Sequence, residues 1–293
     1  MKISKPASDR IGATISDVTA PALTPGEVEG VREALYHHKL VIFRDQQPSN
    51  PEYIALARLF GAPQIYFQSN YHHPEHPEIF VSSNELFDGA KFGVSGTGRY
   101  WHTDYSFMTE PLPLTMVRPV RIAEGHRGTL YTDMQRVWAE LPDALRALVE
   151  GRRAVHEGKY RYKVQAKDID RALVDLLDEI AREVPAVTHP AVIRHPITGT
   201  DSLYLNEGFT TGLVGLSHED SQAALAQLFA FIAQDRFVHY QPWVQGDVLL
   251  WDNRVLNHKA AHLTATAQPS TSFRIGVYDG LAFYTNPDPG SLA

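Results

Sequence analysis

The sequence predicts a mainly β fold, a barrel or sandwich carrying helical insertions. Three observations lead there. Apolar, β-branched segments frame the chain, LVIF near its start and DVLLWDN and TSFRIGVYDG near its end. Helical periodicity is confined to blocks between them. Strands and helices do not alternate one for one, as a βαβ parallel sheet would require. No repeat, low-complexity block or linker interrupts the 293 residues, so one domain is expected over 1–293.

Taken in order, Thr24-Pro25-Gly26-Glu27 reads as a capping box with proline at the first helical position, opening an amphipathic helix to about His38. LVIFR (Leu40–Arg44) follows as a buried strand, and a second helix starts at Asn50-Pro51 and stops at Gly61. EIFVSS (Glu78–Ser83) and LTMVRPVRI (Leu114–Ile122) read as strands. Helical spacing then dominates from Asp133 to Gly151 and from Asp168 to Glu183, predicting a helical cover over about 133–183. Strands return at Ala191–Pro196 and Ser202–Asn206, joined by the turn Ile197-Thr198-Gly199. A second block of cover, about 217–234, is a helix capped by Ser217, with Glu219 and Asp220 in its first turn. Asp247–Asn253 and Thr271–Gly280 close the chain as strands.

Composition narrows the chemistry. With 27 Lys and Arg against 34 Asp and Glu, the net charge is −7, and no basic stripe offers a nucleic-acid face. The absence of cysteine excludes thiolate nucleophiles, iron–sulfur clusters and cysteine-type zinc sites. The opening MKISKPASDRIGATI has no apolar core of a signal peptide, and no run approaches a membrane span, so a cytoplasmic protein with no membrane partner is expected.

Three features carry chemistry. In YWHTDYSF, His102 and Asp104 stand two apart, and on an extended segment such residues point to one face. His258 follows the apolar strand VLLW, and Arg274 lies sixteen residues further on inside a core-like strand. Two histidines and a carboxylate form the facial triad of non-haem iron(II) oxygenases. An arginine in an apolar strand needs an anion, and its fork suits a carboxylate. The bland alternatives are a satisfied core histidine beside a turn aspartate, a packing histidine and a locally paired arginine. A non-catalytic metal-binding jelly roll or a hydrolytic zinc site also fits the triad, although zinc more often takes three histidines or His₂Glu.

The order HxD, distal His, then Arg, with the words WHTDYSF, NEGFTTGLVGLS and GDVLLWDNRVLNH, resembles the iron(II)/2-oxoglutarate dioxygenases of the taurine dioxygenase family, from about Gly12 to Gly280. The resemblance implies a double-stranded β-helix (jelly-roll) core. It also implies iron(II) on His102, Asp104 and His258, with O2 as oxidant and 2-oxoglutarate held by Arg274 and Thr129.

IYFQSNYHHPEHPEIFVSSN, HRGTLYTDM, KYRYK and LWDNRVLNHKAAH are similar to the subgroup that forms isonitriles from N-carboxymethyl 3-amino acids derived from fatty acids. That likeness implies a small carboxylate substrate, free or on a carrier protein, held by Tyr66, Arg127 and Lys163, with Phe67, Tyr71 and His262 lining the pocket. Two departures stand out. Phe67 replaces a tyrosine of the subgroup, which leaves single-cycle hydroxylation or desaturation of an amino-acid-like acid as the alternative. Tyr278 stands where taurine dioxygenases carry a second arginine, which argues against taurine. The histidines of YHHPEHPEIF read as a loop over the site mouth, Asn206-Glu207 as a strand-end turn or a pocket edge, and Asp252 or Asn253 as partners for the ligand imidazoles. A homo-oligomer is compatible with the sequence.

Overall fold

In a computed structural model describing residues 1–5, 11–123, 127–164, 168–262 and 268–285, the side chain of 262 excepted, two antiparallel sheets set the frame of the site. The larger has eight strands. Its order is Lys2–Ser4, Ala13–Ser16, Leu40–Phe43, Val248–Asp252, Leu114–Arg121, Thr271–Tyr278 and Ala62–Gln64, and Phe80–Ser83 also pairs with Thr271–Tyr278. The pair Ala13–Ser16 and Leu40–Phe43 is parallel, and the other strand pairs described in this sheet are antiparallel. The smaller sheet sets Arg127–Asp133 between Val238–Pro242 and Leu256–His262.

Alternation along the central strands decides which side chains face the site. Leu114, Met116, Phe273, Ile275 and Val277 join one buried cluster with Val31, Leu35, Tyr53 and Leu56 of two covering helices. Those helices are Pro25–His38 and Asn50–Arg58. Each fully buried Leu, Ile or Phe there contributes roughly 1.5–3 kcal/mol. The intervening residues Thr115, Val117 and Arg274 therefore fall on the opposite face, and Arg274 is registered against Val117.

Both helices begin at capping boxes, Thr24 with Glu27 as the sequence predicts, and Ser49 with Glu52; the second helix starts at Asn50 as expected and ends at Arg58, short of the expected stop at Gly61. The helix His218–Ile232 is capped by Ser217. The expected cover over 133–183 is only partly helical. Met134–Ala139, Asp143–Arg146 and Leu173–Glu183 are helices, but Arg153–His156 is a strand between Val187–Pro190 and Thr210–Leu213. Gly151 takes the left-handed conformation (φ 70°) and breaks the helical run, after which Arg-Ala-Val-His alternates half-buried and buried. No helix among the described residues is long and apolar enough to cross a membrane.

Candidate active site

His102 and His258 are joined through their backbones. Each amide donates to the other's carbonyl, at 3.0 and 2.7 Å, so an isolated antiparallel bridge docks the HTD segment onto the smaller sheet. The segment is not a strand beyond that bridge; the chain turns from Asp104 onward. The alternation still holds over three residues. Thr103 points away and donates its hydroxyl to the Asn253 carbonyl at 2.7 Å, while His102 and Asp104 converge on His258. The imidazole centroids lie 4.1 Å apart, and ligand atoms from all three residues lie within 4.8 Å of one another.

The protonation states suit a cation. His102 Nδ1–H donates to the Tyr100 carbonyl at 2.9 Å, which leaves the Nε2 lone pair free. Burial lowers the pKa of both imidazoles, most strongly at His258, so they are neutral donors. Burial pushes the Asp104 carboxyl up, but Arg274, then His258 and His102, and the Thr115 hydroxyl outweigh it and hold the group at about 2. Two neutral imidazoles and one ionised carboxylate are the donor set a non-haem iron(II) site needs, so the residues fit the metal.

Arg274 lies beside the triad. Its Nη1 donates to Asp104 Oδ1 at 2.6 Å, its Nη2 approaches the Tyr105 hydroxyl at 3.5 Å, and its guanidinium sits 4.0 Å from the Phe80 ring centroid. Its Nε is buried without a hydrogen-bond partner, an unmet donor that a carboxylate ligand would satisfy. Burial opposes the cation, yet Asp104 and the tyrosines around it raise its pKa.

A cavity opens from this point. Its lining includes His102, Asp104 and Arg274 together with Tyr66, Phe67, Tyr71 and Lys163. Thr129 and Arg127 are not among the residues that line this cavity; they lie on the strand paired with that of His258, with Thr129 registered against Ala260, around Trp243. The indole N–H of Trp243 donates to Thr129 Oγ1 at 3.1 Å, and the Arg127 guanidinium lies 5.3 Å from the tryptophan ring. Arg127 Nη1 is buried and unpartnered. The backbone of His262 pairs with Arg127, but the side chain of His262 lies outside the described residues.

The sequence profile described as "Taurine catabolism dioxygenase TauD, TfdA family" matches residues 3–272. The chain belongs to this family. It is an iron(II)/2-oxoglutarate-dependent dioxygenase, with iron(II), 2-oxoglutarate and O2 as its cofactor and co-substrates. It is 31% identical to an alpha-ketoglutarate-dependent sulfate ester dioxygenase of Pseudomonas putida, over 87% of this chain and 82% of that one. A pentalenolactone F synthase of Streptomyces avermitilis is 29% identical over 86% of each chain. The crystal structure of a taurine dioxygenase from Burkholderia xenovorans superposes with a TM-score of 0.75 at 27% identity, covering 94% of this chain and 88% of that one.

Within the TauD/TfdA frame several sequence expectations are corrected. Neither Asp252 nor Asn253 hydrogen-bonds a ligand imidazole: His102 Nδ1 is taken by the Tyr100 carbonyl, and His258 Nδ1 has no partner among the described residues. Asp252 accepts from His195 Nε2 at 2.9 Å and pairs with Arg254, while Asn253 bonds Trp251 and Thr115. The histidine loop borders the cavity only through its ends, Tyr71 and Phe80: none of its three histidines lines it, His72 bonds the Tyr66 carbonyl at 2.6 Å, and His73 bonds Asn50 and packs on Phe92 and Phe273. Asn206 is the strand-end turn, accepting from the Phe209 amide and donating to Ser106. Among the cavity residues that pattern reasoning passed over are Tyr105, Phe107, Arg161, Ile180 and Val184. Tyr105 carried one readable signal, its place directly after the HxD pair. Phe107 closes that same segment, whereas Arg161, Ile180 and Val184 come from a separate turn and the end of a helix, and no spacing rule links them.

Proposed function

We propose that this dioxygenase forms an isonitrile from an N-carboxymethyl 3-amino fatty acid, by two oxidation cycles with loss of the carboxylate as CO2. The observation that carries the reading is the composition of the cavity. Lys163 shares it with the triad and Arg274, and Phe67, Phe107, Ile180 and Val184 supply an apolar wall suited to an alkyl tail. Among the described residues Lys163 holds one long contact, 3.4 Å to the Gly96 carbonyl, and we assign it to a substrate carboxylate. Tyr66 and Tyr71, packed edge to face at 5.1 Å, would orient it. Arg127, with its unmet Nη1, is assigned to the second carboxylate together with His262.

His102, Asp104 and His258 would hold iron(II), which when bound supplies the oxidising power from O2 and 2-oxoglutarate. Arg274 and Thr129 would take the distal carboxylate of 2-oxoglutarate. The protein's own work is to fix the substrate's N-carboxymethyl carbon beside the triad and to exclude water behind the Tyr66, Tyr71, Phe80 and Tyr105 rings. Overall, R–NH–CH2–COOH loses four electrons and four protons to give R–N≡C and CO2, which requires two co-substrate turnovers. We infer further that the two sheets are the halves of a jelly-roll core and that residues 1–293 act as one cytoplasmic domain, working on a free or carrier-bound acid.

The test is succinate stoichiometry. Iron(II)-loaded protein is given O2, 2-oxoglutarate and a set of N-carboxymethyl 3-amino acids, with His102→Ala as control. Two succinates per isonitrile are expected. One succinate per hydroxylated or desaturated acid, with the carboxylate retained, would replace this reading by the single-cycle one, in line with the missing hydroxyl at Phe67.

A further inference from the structure

Asp104 is the end of a buried hydrogen-bond chain whose every direction is fixed by chemistry. The Trp251 indole N–H, which can only donate, bonds Asn253 Oδ1 at 2.9 Å. That contact sets the orientation of the Asn253 amide, so Nδ2 is the atom that faces Thr115 and donates to its Oγ1 at 2.8 Å. The Thr115 hydroxyl, its lone pair engaged, turns its own proton onto Asp104 Oδ2 at 2.6 Å. All four residues are 0 to 3% exposed, so no bulk water competes for these bonds. Asn253 is itself immobilised by its backbone, whose amide donates to the Pro113 carbonyl at 2.8 Å and whose carbonyl accepts from Thr103. The same Trp251 ring packs edge-on against His258, with centroids 4.8 Å apart.

We propose that Thr115 and Asn253 are positioning residues for the metal-binding carboxylate. They hold the plane of Asp104 and occupy one lone pair of Oδ2, so that the carboxylate meets a metal in one orientation and cannot swing to chelate it through both oxygens. Trp251 ties this chain to the packing of the second histidine. The inference rests on the triad being the metal site, and it adds residues of the larger sheet, Thr115 and the Trp251–Asn253 turn, to the set that determines metal affinity.

The experiment titrates Mn(II) alone into wild-type protein, Thr115→Val, Thr115→Ser and His258→Ala, with thermal unfolding of each metal-free protein as a check on folding. Mn(II) electron paramagnetic resonance reports the ligand geometry. Thr115→Val, which keeps the shape and removes the hydroxyl, is expected to weaken Mn(II) binding roughly 10–100-fold. It should also broaden the Mn(II) spectrum, while Thr115→Ser stays within about threefold of wild type and restores the spectrum. Should the valine variant not fold, Thr115→Ala carries the same expectation. A folded Thr115→Val or Thr115→Ala protein that binds Mn(II) as wild type does overturns the proposal. Equal losses in the valine and serine variants also overturn it, because packing alone would then be the cause. If His258→Ala binds Mn(II) unchanged, the triad assignment itself fails, an outcome distinct from the other two.

Discussion

Replacing Arg274 by alanine separates its two partners. In the folded protein it donates to Asp104 Oδ1 at 2.6 Å, and its Nε has no acceptor. As the anchor for the distal carboxylate of 2-oxoglutarate, it would give at least two charge-assisted bonds of about 1.5 kcal/mol each at the low end of their range. Their loss is ~3 kcal/mol, which corresponds to roughly 150-fold weaker co-substrate binding. Metal binding responds differently. Without Arg274 the Asp104 carboxyl loses the largest influence holding its pKa down, and burial then pushes it up. A bound divalent cation replaces that stabilising charge, so metal affinity at pH 7.5 should change by less than about tenfold. Anaerobic calorimetry with Mn(II) first and 2-oxoglutarate second reads both steps. Arg274→Lys, which keeps the charge but not the fork, should recover part of the loss. Co-substrate affinity within threefold of wild type together with a collapse of metal binding would refute the reasoning, and would make Arg274 a clamp on Asp104 instead of an anchor.

His156 gives the fold an acid sensitivity away from the triad. Burial, then the neighbouring His189, pushes its pKa down to about 3. The unfolded chain therefore takes up a proton that the folded one refuses; the stability is complete above about pH 6.5 and is lost as pH falls toward 3. At pH 5 the loss is ~2 kcal/mol, and urea unfolding of His156→Phe between pH 7.5 and 5 should show an acid limb shallower by that amount. An identical slope in both proteins would show that His156 does not carry it. Gly208→Ala tests the tightness behind His102: an added Cβ would lie 2.6 Å from the Tyr100 ring and 3.0 Å from His102 Cβ. Tyr100 cannot easily yield, since the Arg161 guanidinium stacks 4.2 Å from its ring. Overpacking of this kind costs about 1–3 kcal/mol, so a lower melting temperature and roughly tenfold weaker Mn(II) binding are expected; wild-type values for both would mean that the space is not shared.

The sequence made some parts of this molecule legible and hid others for physical reasons. Strands buried on both faces, such as Leu40–Phe43 and Val248–Asp252, announce themselves as apolar runs, and capped helices by their end signals. The smaller sheet was far less visible. Arg127–Asp133 reads RGTLYTD and Val238–Pro242 reads VHYQP, because inward positions near a polar site lose the apolar alternation on which strand reading depends. The triad could be read because its spacing is short and chemical. Thr115 could not: its role exists only once the Leu114–Arg121 strand places it opposite Trp251, 136 positions later in the chain.

The same contrast divides the site by function. The metal-facing residues are tied to backbone ladders and buried chains: His102 and His258 to each other, Asp104 through Thr115 and Asn253 to the larger sheet. Displacing any of them breaks sheet pairing or leaves a buried donor unmet, so that part of the site tolerates little change. The cavity residues proposed above to meet the substrate's chain and first carboxylate sit outside the sheets. Tyr66, Phe67 and Tyr71 come from the segment before Phe80, Lys163 from the stretch after a short 3₁₀ turn, and Ile180 and Val184 from the end of one covering helix. Phe67, 43% exposed, can be exchanged for tyrosine at little cost to the fold. On the substrate assignment proposed above, substrate choice can drift in these loops while the triad stays fixed by the sheets. On this division Phe67→Tyr should alter which acid is oxidised and leave Mn(II) affinity unmoved, and a change in Mn(II) affinity on that single substitution would show that the two halves of the site are not independent.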